Sequence, residues 1–208
     1  FQDRMKWLGT VAGIDLIAHG TTSDEDTIRN TAVAQPLIVS AGMVSLLSLF
    51  PHPGEAYAKV GIGAGHSVGE ITAAAAANVI SAEQAMVLVR ERGNAMATAS
   101  AVTPTGMSAV LGGDRDEVIA KLTQHGLTAA NENGGGQIVA AGDVDALAYL
   151  APEGGRVRAL QVAGAFHTSY MQPAVEPLRA LASQINVNAA NCGVISNKDG
   201  AIKTDGRE

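Results

Sequence analysis

The alternation of apolar and polar positions along the first half of the chain predicts helices around a buried strand. Apolar residues dominate positions 58–64, and an alanine-rich stretch with high helix propensity starts at Glu70. A strand, a turn and a helix are therefore predicted in that order. Residues 27–49 predict an earlier helix, in which Thr31 can serve as the N-cap and Pro36 is tolerated only in a first turn.

The second half of the chain has a different pattern. Ser81 and Gln84 have the spacing of a capping box, which predicts a helix from residue 82 to about residue 99. Beyond residue 104, short apolar runs between turn residues predict strand, helix, strand, strand, helix and strand, the order of a ferredoxin-like subdomain. The predicted strands are 107–111, 127–130, 137–140, 156–162 and 194–196, the helices are 114–122, 144–150 and 171–185, and residues 131–136 form a loop.

The turn between the first strand and its helix carries the sequence Gly65-His66-Ser67-Val68-Gly69. A G-x-S-x-G sequence between a strand and a helix is typical of a nucleophile elbow, the turn that presents a reactive serine in hydrolase-like α/β folds. Because such a turn is strained, we expect a Cβ at either glycine to clash. The N-terminal N–H groups of the following helix favour negative charge at Ser67. The alternative is an ordinary glycine-rich turn with an exposed serine.

Together these elements predict an α/β fold, with a hydrolase-like α/β core that contains a parallel sheet and an inserted ferredoxin-like α+β subdomain. We expect the core to comprise residues 1–103 and 164–208, and the subdomain to comprise residues 104–163. A cleft between two such parts is a usual place for a substrate.

Composition excludes several classes of function. Hydrophobic residues make up 47% of the 208 residues and charged residues 16%, which is typical of a compact globular protein. The net charge of −6 argues against a nucleic-acid partner. Cys192 is the single cysteine, so no internal disulfide is expected, and no apolar run seen in the sequence approaches a membrane span. We therefore expect a cytoplasmic protein without a membrane partner.

A serine hydroxyl needs a base to take its proton before it can attack. Among the five histidines, His167 lies where the predicted subdomain returns to the core, whereas the others lie in polar turns or, for His66, beside the serine. His167 is therefore the candidate base. The histidines are scattered along the sequence, so no metal site is predicted.

Arg92 lies on an apolar face of a predicted helix. Ala85, Val89, Arg92 and Met96 are spaced so that they share one side of the helix over residues 82–99. A guanidinium is costly to bury among such residues unless an anion meets it. The anion could be an internal carboxylate or a substrate carboxylate held bidentately, and the spacing leaves both interpretations open.

Three motifs resemble a known family when they are taken in this order. They are Gly-His-Ser-Val-Gly-Glu at residues 65–70, Arg-Gly-Asn-Ala-Met at residues 92–96 and Gly-Ala-Phe-His-Thr at residues 164–168. With residues 131–137 and Ser196-Asn197, they resemble the malonyl-CoA:acyl-carrier-protein transacylases of bacterial fatty-acid synthesis over nearly the whole chain. That family also has an inserted ferredoxin-like subdomain.

The resemblance implies a role for each candidate residue. Ser67 would be the acyl-accepting nucleophile, His167 its general base and Arg92 the partner of the malonyl carboxylate. The N–H of Val68 would be an oxyanion donor, and Phe166 would crowd a substrate with an α-methyl branch. The implied enzyme is an acyl-carrier-protein S-malonyltransferase, a monomer that moves malonyl from malonyl-CoA to the phosphopantetheine thiol of acyl carrier protein and needs no cofactor.

Members of that family also have an N-terminal strand with a Gly-Gln-Gly-x-Gln segment and a C-terminal segment that orients the histidine. Neither segment matches this sequence, so we expect the chain to be the central part of a longer enzyme. Two alternatives stay open. One is a serine thioesterase or esterase of the α/β-hydrolase type, and the other is a non-catalytic fragment that docks a carrier protein.

Overall fold

A computed structural model gives an α/β fold with mixed helices and sheets, in two compact units. It describes residues 1–151 and 154–207, and only the backbone of Pro53. The first unit contains Phe1–Asn94 and Leu178–Glu208, and the second contains Ala95–Pro177. The predicted domain boundaries, at residues 103/104 and 163/164, fall inside the second unit and stay a prediction. Residues 152, 153 and 208 of the predicted domains lie outside the described residues.

The elements before residue 60 are helices, and helices and strands are mixed after it. In chain order they are α1 (Gln2–Ala12), α2 (Leu16–Thr21), α3 (Glu25–Arg29), α4 (Thr31–Leu49), α5 (Pro53–Lys59), β1 (Ile62–Ala64), α6 (Gly69–Ala76), α7 (Ala82–Ser100), β2 (Thr105–Gly112), α8 (Arg115–Gln124), β3 (Thr128–Gly134), β4 (Gln137–Asp143), α9 (Val144–Ala148), β5 (Gly155–Ala159), a 3₁₀ turn (Ser169–Met171), α10 (Gln172–Ala182), β6 (Ala189–Ile195) and β7 (Ile202–Asp205).

The sheet of the first unit contains β1, β6 and β7, with β6 in the centre. β1 pairs with β6 in parallel, with Ala64 opposite Ile195, and β7 pairs with β6 antiparallel. The predicted parallel sheet is therefore one parallel pair, extended by an antiparallel strand that the sequence pattern did not reveal. Because parallel strands end at the same edge of a sheet, the residues that follow Ala64 and Ile195 come close together.

The long apolar helix α4 differs from its prediction in three details. It begins at Thr31 rather than at residue 27, because residues 27–29 belong to the separate helix α3. Its N-cap is Asn30 rather than Thr31, because the Asn30 side chain accepts a hydrogen bond from the N–H of Ala32. Pro36 lies in the second turn, so the expectation that it requires a first turn is wrong. The helix lacks one backbone hydrogen bond at Pro36, and the fully buried proline ring packs in the core instead.

By length and composition alone, α4 is long and apolar enough to cross a membrane, so the prediction that no apolar run approaches a membrane span is wrong. The helix packs against α1, α2, α3 and α6. It also buries three polar side chains, Thr31, Gln35 and Ser40, and the Ser40 hydroxyl donates a hydrogen bond to the carbonyl of Leu37 at 3.0 Å. These contacts place α4 among the other helices of the first unit.

The core of the first unit brings α1, α2, α4 and α7 together through Leu8, Leu16, Val39, Met86 and Val89. The start of α7 is fixed by the predicted capping box, which is confirmed. The N–H of Ser81 donates to Gln84 Oε1 at 2.8 Å, and the N–H of Gln84 donates to Ser81 Oγ at 3.2 Å.

The second unit contains a four-stranded antiparallel sheet in the order β3-β4-β2-β5. The chain visits its strands and helices in the predicted order of strand, helix, strand, strand, helix and strand. Residues 131–134, predicted as loop, belong to β3. Because β3 is an edge strand, polar side chains are tolerated there, and only Gly135 and Gly136, both with positive φ, form the hairpin turn.

The turn between β1 and α6 holds Ser67 in a left-handed conformation, with φ of 52°. A Cβ on Gly65 would overlap the carbonyl of Gly69 and the backbone nitrogen of Glu70, because the chain folds back on itself. A Cβ on Gly69 would meet none of the surrounding heavy atoms within 4 Å. The expectation that both glycines exclude a side chain is therefore confirmed for Gly65 and wrong for Gly69.

This difference gives a prediction for stability. Gly65→Ala is expected to lower the free energy of unfolding by about 3 kcal/mol, because two backbone segments must separate. Gly69→Ala is expected to leave it unchanged or to raise it by up to about 1 kcal/mol, because alanine restricts the unfolded chain and fits the first turn of α6. Urea denaturation of both variants measures the difference, and equal losses would contradict the geometry.

Candidate functional site

Ser67 lies two residues before the first residue of α6 and is half-buried. The carbonyls of His66, Ser67 and Val68 accept hydrogen bonds from the N–H groups three residues further on, at 3.0–3.2 Å. The N-terminal end of α6 therefore lies at Ser67, where its N–H groups favour negative charge. Among the described residues, the N–H of Val68 has no hydrogen-bond partner.

Asn197, in the turn that follows β6, forms hydrogen bonds to the serine turn. Its Oδ1 accepts a hydrogen bond from the N–H of Ser67 at 2.8 Å, and its Nδ2 donates to the carbonyl of Gly65 at 2.6 Å. Its own N–H donates to Glu70 Oε1 at 2.7 Å. Sequence reasoning gave Asn197 no role, because the residue is 130 positions from the serine and no local pattern joins them.

Arg92 lies on the buried face of α7. Ala85, Val89 and Met96 are buried and Arg92 is half-buried, so the predicted apolar face is confirmed. Burial lowers the pKa of the Arg92 guanidinium from its ordinary value, and the charge of the Glu70 carboxylate partly offsets this effect. An arginine keeps its proton under such conditions, so the site contains a partly desolvated positive charge.

The hydrogen bonds of the Arg92 guanidinium end on uncharged side chains. Nη1 donates to Gln35 Oε1 at 2.5 Å, and Nη2 donates to Ser67 Oγ at 3.1 Å. Glu70 acts on the guanidinium through space, and within residues 1–151 and 154–207 no carboxylate forms an ion pair with it. The geometry therefore joins the candidate nucleophile to a cation whose charge no direct ion pair neutralises.

A close approach of α4 and α7 brings Gln35 to Arg92. The Thr31 hydroxyl donates to the carbonyl of Gly93 at 2.8 Å, and a Cβ on Gly93 would lie 2.5 Å from the carbonyl oxygen of Thr31. Gln35 follows Thr31 by one turn of α4, and Arg92 precedes Gly93, so this contact sets their separation. Sequence reasoning missed Gln35, although a glutamine inside a long apolar helix was an available signal.

His167 belongs to the second unit, where it is exposed and has a left-handed φ of 59°. The residues around it are held by hydrogen bonds. The N–H of Ala165 donates to Thr105 Oγ1 at 3.1 Å, and Thr168 Oγ1 donates to the carbonyl of Ala165 at 2.6 Å. The backbone at His167 is thus fixed in a conformation that non-glycine residues seldom adopt.

Phe166 also belongs to the second unit and is half-buried. Its ring packs against two small apolar clusters, one around Met96 and Met171 and one around Met107 and Val139. Of the predicted site residues, Ser67, Val68 and Arg92 thus lie together in the first unit, and Phe166 and His167 lie in the second. In the part of the chain that the structure describes, no three histidine, cysteine or carboxylate side chains form a group that could hold a metal ion.

The chain is similar to known proteins over most of its length. The sequence matches the acyl transferase domain family over residues 9–202. The malonyl CoA-acyl carrier protein transacylase of Mycobacterium bovis is 48% identical over 201 residues, which cover 95% of this chain and 66% of that protein. The Bacillus subtilis protein of the same name is 34% identical over 192 residues, which cover 88% of this chain and 59% of that protein.

Solved structures give the same result. The crystal structure of MCAT from Mycobacterium tuberculosis has a TM-score of 0.90 and 45% sequence identity, and the match covers 99% of this chain and 69% of that one. The matches cover 66% of the Mycobacterium bovis protein and 59% of the Bacillus subtilis protein, so the chain spans only part of the length of these relatives. The chain belongs to the acyl transferase domain family and is similar to the malonyl CoA-acyl carrier protein transacylases.

Proposed function

We propose that this chain is the catalytic part of an acyl-carrier-protein S-malonyltransferase, an acyltransferase of fatty-acid synthesis that uses malonyl-CoA. The observation that carries the proposal is the hydrogen bond from Arg92 to Ser67 Oγ, which joins a partly buried cation to a serine at a strained turn. Similarity to proteins named malonyl CoA-acyl carrier protein transacylase supports the same activity.

In the first half of the proposed reaction, Ser67 Oγ attacks the thioester carbonyl of malonyl-CoA. The hydroxyl proton passes to the imidazole of His167, a tetrahedral intermediate forms, and its collapse breaks the carbon–sulfur bond. CoA leaves as a thiol with the proton returned by the imidazolium, and malonyl remains on Ser67 as an ester. In the second half, the phosphopantetheine thiol of acyl carrier protein gives its proton to His167 and attacks this ester, and Ser67 recovers its hydroxyl.

The proposed role of Arg92 is to bind the free carboxylate of the malonyl group. A planar guanidinium binds a carboxylate bidentately, and burial strengthens that interaction. Gln35 neutralises no charge, so its hydrogen bond can orient Arg92 and leave the positive charge for the substrate. When malonyl-CoA binds, its carboxylate is proposed to replace Ser67 Oγ as the acceptor for Nη2 of Arg92.

The proposed oxyanion donor is the N–H of Val68. It lies at the N-terminal end of α6, and the N–H of Ser67 already donates to Asn197. A donor aimed at the developing oxyanion stabilises each tetrahedral intermediate by roughly 3–4 kcal/mol. The side chain of Phe166 would crowd an α-methyl branch on the acyl group and so favour malonyl. The proposed reaction needs no cofactor, and malonyl-CoA is its substrate.

The finer description of the fold belongs to the same proposal. We infer a hydrolase-like core in the first unit, supported by a serine turn between β1 and α6 and by the parallel pairing of β1 with β6. We infer a ferredoxin-like subdomain in the second unit, supported by its element order and by the strand order β3-β4-β2-β5. The protein is further proposed to act in the cytoplasm, as a monomer, with acyl carrier protein as its partner.

The sequence analysis left two alternatives, a serine thioesterase or esterase and a non-catalytic fragment that docks a carrier protein. Similarity to transacylases does not favour either alternative. Hydrolysis of an uncharged ester does not require a cation beside the nucleophile. Docking of a carrier protein does not require a serine with a strained backbone. The experiments below separate these functions.

Incubation of the full-length protein with malonyl-CoA is expected to add one malonyl group to Ser67, detected by intact-protein and peptide mass spectrometry. Ser67→Ala is expected to abolish the adduct, because the attacking hydroxyl is removed. Ser48→Ala is the matched control, since Ser48 is an exposed serine of α4 whose hydroxyl donates to the carbonyl of Val44. Absence of an adduct in the parent protein would leave only the docking function.

Arg92→Ala is expected to lower kcat/KM for malonyl-CoA about a hundredfold, near 3 kcal/mol, because the substrate carboxylate loses a partly buried partner. The rate with acetyl-CoA, which has no free carboxylate, is expected to change much less. Arg90→Ala is the matched control, because Arg90 lies on the same helix but bonds Glu91 and the carbonyl of Val11. Equal losses for both substrates would contradict the assignment, and an unaffected ester hydrolysis would favour the esterase.

Substitutions of Gln35 test whether an uncharged partner keeps Arg92 available. Gln35→Glu is expected to raise KM for malonyl-CoA about tenfold, near 1.4 kcal/mol, because an internal carboxylate then competes with the substrate for the guanidinium. Gln35→Leu removes the hydrogen bond without adding charge, and a smaller effect is expected. Steady-state kinetics of both variants measure this order, and a larger KM for Gln35→Leu than for Gln35→Glu would refute it.

A further inference from the structure

We propose that Asn197 is a positioning residue that keeps the turn of residues 65–69 in the shape needed for attack. The inference rests on the proposed role of Ser67 as the nucleophile. Asn197 touches no reacting atom in this proposal. It acts through the backbone of the turn, and its effect should therefore appear in the reactivity of Ser67 rather than in the choice of substrate.

The side-chain amide of Asn197 spans the turn on both sides of His66. Oδ1 accepts from the N–H of Ser67 at 2.8 Å, and Nδ2 donates to the carbonyl of Gly65 at 2.6 Å. One planar amide thus fixes the separation and the direction of two backbone groups that belong to no regular element. A group with an acceptor and a donor on separate neighbouring atoms can do this, and the amide of asparagine is shorter than that of glutamine, the other side chain with such a group.

Asn197 reaches the turn because of strand register. β1 and β6 are parallel with Ala64 opposite Ile195, so the first residues after each strand emerge side by side. The turn that carries Asn197 is itself fixed, since the N–H of Gly200 donates to the carbonyl of Ser196 at 2.8 Å and the N–H of Ser196 donates to the carbonyl of Ala201 at 3.0 Å. The N–H of Asn197 adds a bond to Glu70 at 2.7 Å, which connects the first turn of α6 to the same residue.

The conformation that these bonds hold is one that serine rarely adopts. Ser67 has φ of 52°, and such strain persists only where the surrounding structure determines it. The bond to Asn197 also occupies the N–H of Ser67, so that group cannot serve as an oxyanion donor. The Val68 N–H is left for that role, and the proposal therefore links the position of the nucleophile to the identity of the donor.

The first test measures how fast Ser67 reacts with a fluorophosphonate probe, which forms an Oγ–phosphorus bond and releases fluoride. Asn197→Ala in the full-length protein is expected to slow labelling at least about tenfold, because misplacement of a nucleophile by a fraction of an ångström has effects of this size. Asn188→Ala is the matched control. Its Nδ2 donates to the carbonyl of Asn78, another left-handed residue, at the opposite end of α6.

Denaturation midpoints are measured for both variants, since both lose hydrogen bonds to a backbone carbonyl beside α6. Slower labelling in Asn197→Ala at a stability similar to that of Asn188→Ala supports the proposal. Equal labelling rates in the two variants overturn it. A loss of labelling that scales with instability in both variants also overturns it, because the role of Asn197 would then be structural alone.

A second variant keeps the test valid if Asn197→Ala unfolds. Asn197→Asp preserves the shape but turns a new carboxylate oxygen toward the carbonyl of Gly65, which should raise the pKa of that carboxyl above its ordinary value of about 3.9. When protonated, the carboxylic acid again has an acceptor and a donor side by side. The labelling rate of Asn197→Asp divided by that of the parent protein is therefore expected to rise as the pH falls from about 8 to about 5.

Charged or titratable groups near position 197 include Glu70 on α6, His66 in the serine turn, Lys198 and Asp199 on the same turn, and Lys203 on β7, which pairs with Asp199. The parent protein contains all of them together with His167, so their titration cancels in the ratio. A ratio that stays flat with pH overturns the proposal.

The same experiment separates this inference from the proposed function. If the probe labels Ser67 but malonyl-CoA leaves no adduct, the proposed malonyl transfer is overturned. The role of Asn197 is then still decided by the labelling rates of Asn197→Ala and Asn188→Ala. If the probe does not label Ser67 in the parent protein, the serine is not a nucleophile and both are overturned.

Discussion

The left-handed backbone of Ser67 is the constraint on which the rest of the site depends. An L-residue in this conformation costs about 1–2 kcal/mol, so neighbouring structure must impose it. Gly65 permits the chain to fold back so far that no side chain fits there, and the start of α6 fixes the residues that follow. The parallel pairing of β1 with β6 then brings Asn197 to the turn, where its amide binds backbone groups on both sides. The position of the serine hydroxyl follows from these contacts together.

The second constraint is the partly buried charge of Arg92. Burial of a guanidinium is costly, and the usual remedy is a direct ion pair with an internal carboxylate. Here Arg92 instead donates to Gln35 and Ser67, and Glu70 interacts only through space. Such an arrangement tolerates an anionic ligand because no internal carboxylate has to be displaced from Arg92. The close contact of Thr31 with Gly93 contributes to this arrangement, because it sets the separation of the helices that carry Gln35 and Arg92.

Local interactions explain what could be predicted from the sequence. The capping box at Ser81 and Gln84, the element order of the second unit and the strand–turn–helix around Ser67 involve residues close together in the chain, and all of them are present. Long-range contacts explain what was missed. β7 is set by its register with β6, and Pro36 is tolerated because its ring is buried in the core. Gln35 and Asn197 meet partners 57 and 130 residues away, which no local pattern reveals.

The three non-glycine residues with positive φ differ in how much explanation they need. Asparagine and histidine are enriched in this region, so Asn78 and His167 adopt it more readily than most residues. Serine has no such preference. The N–H and the side chain of Ser67 are bound by two distant side chains, Asn197 and Arg92. Backbone strain that is maintained by contacts from two other elements is expected where a reactive group must be positioned before the reaction. In a relaxed turn, the entropy cost of ordering the serine would instead add to the activation barrier.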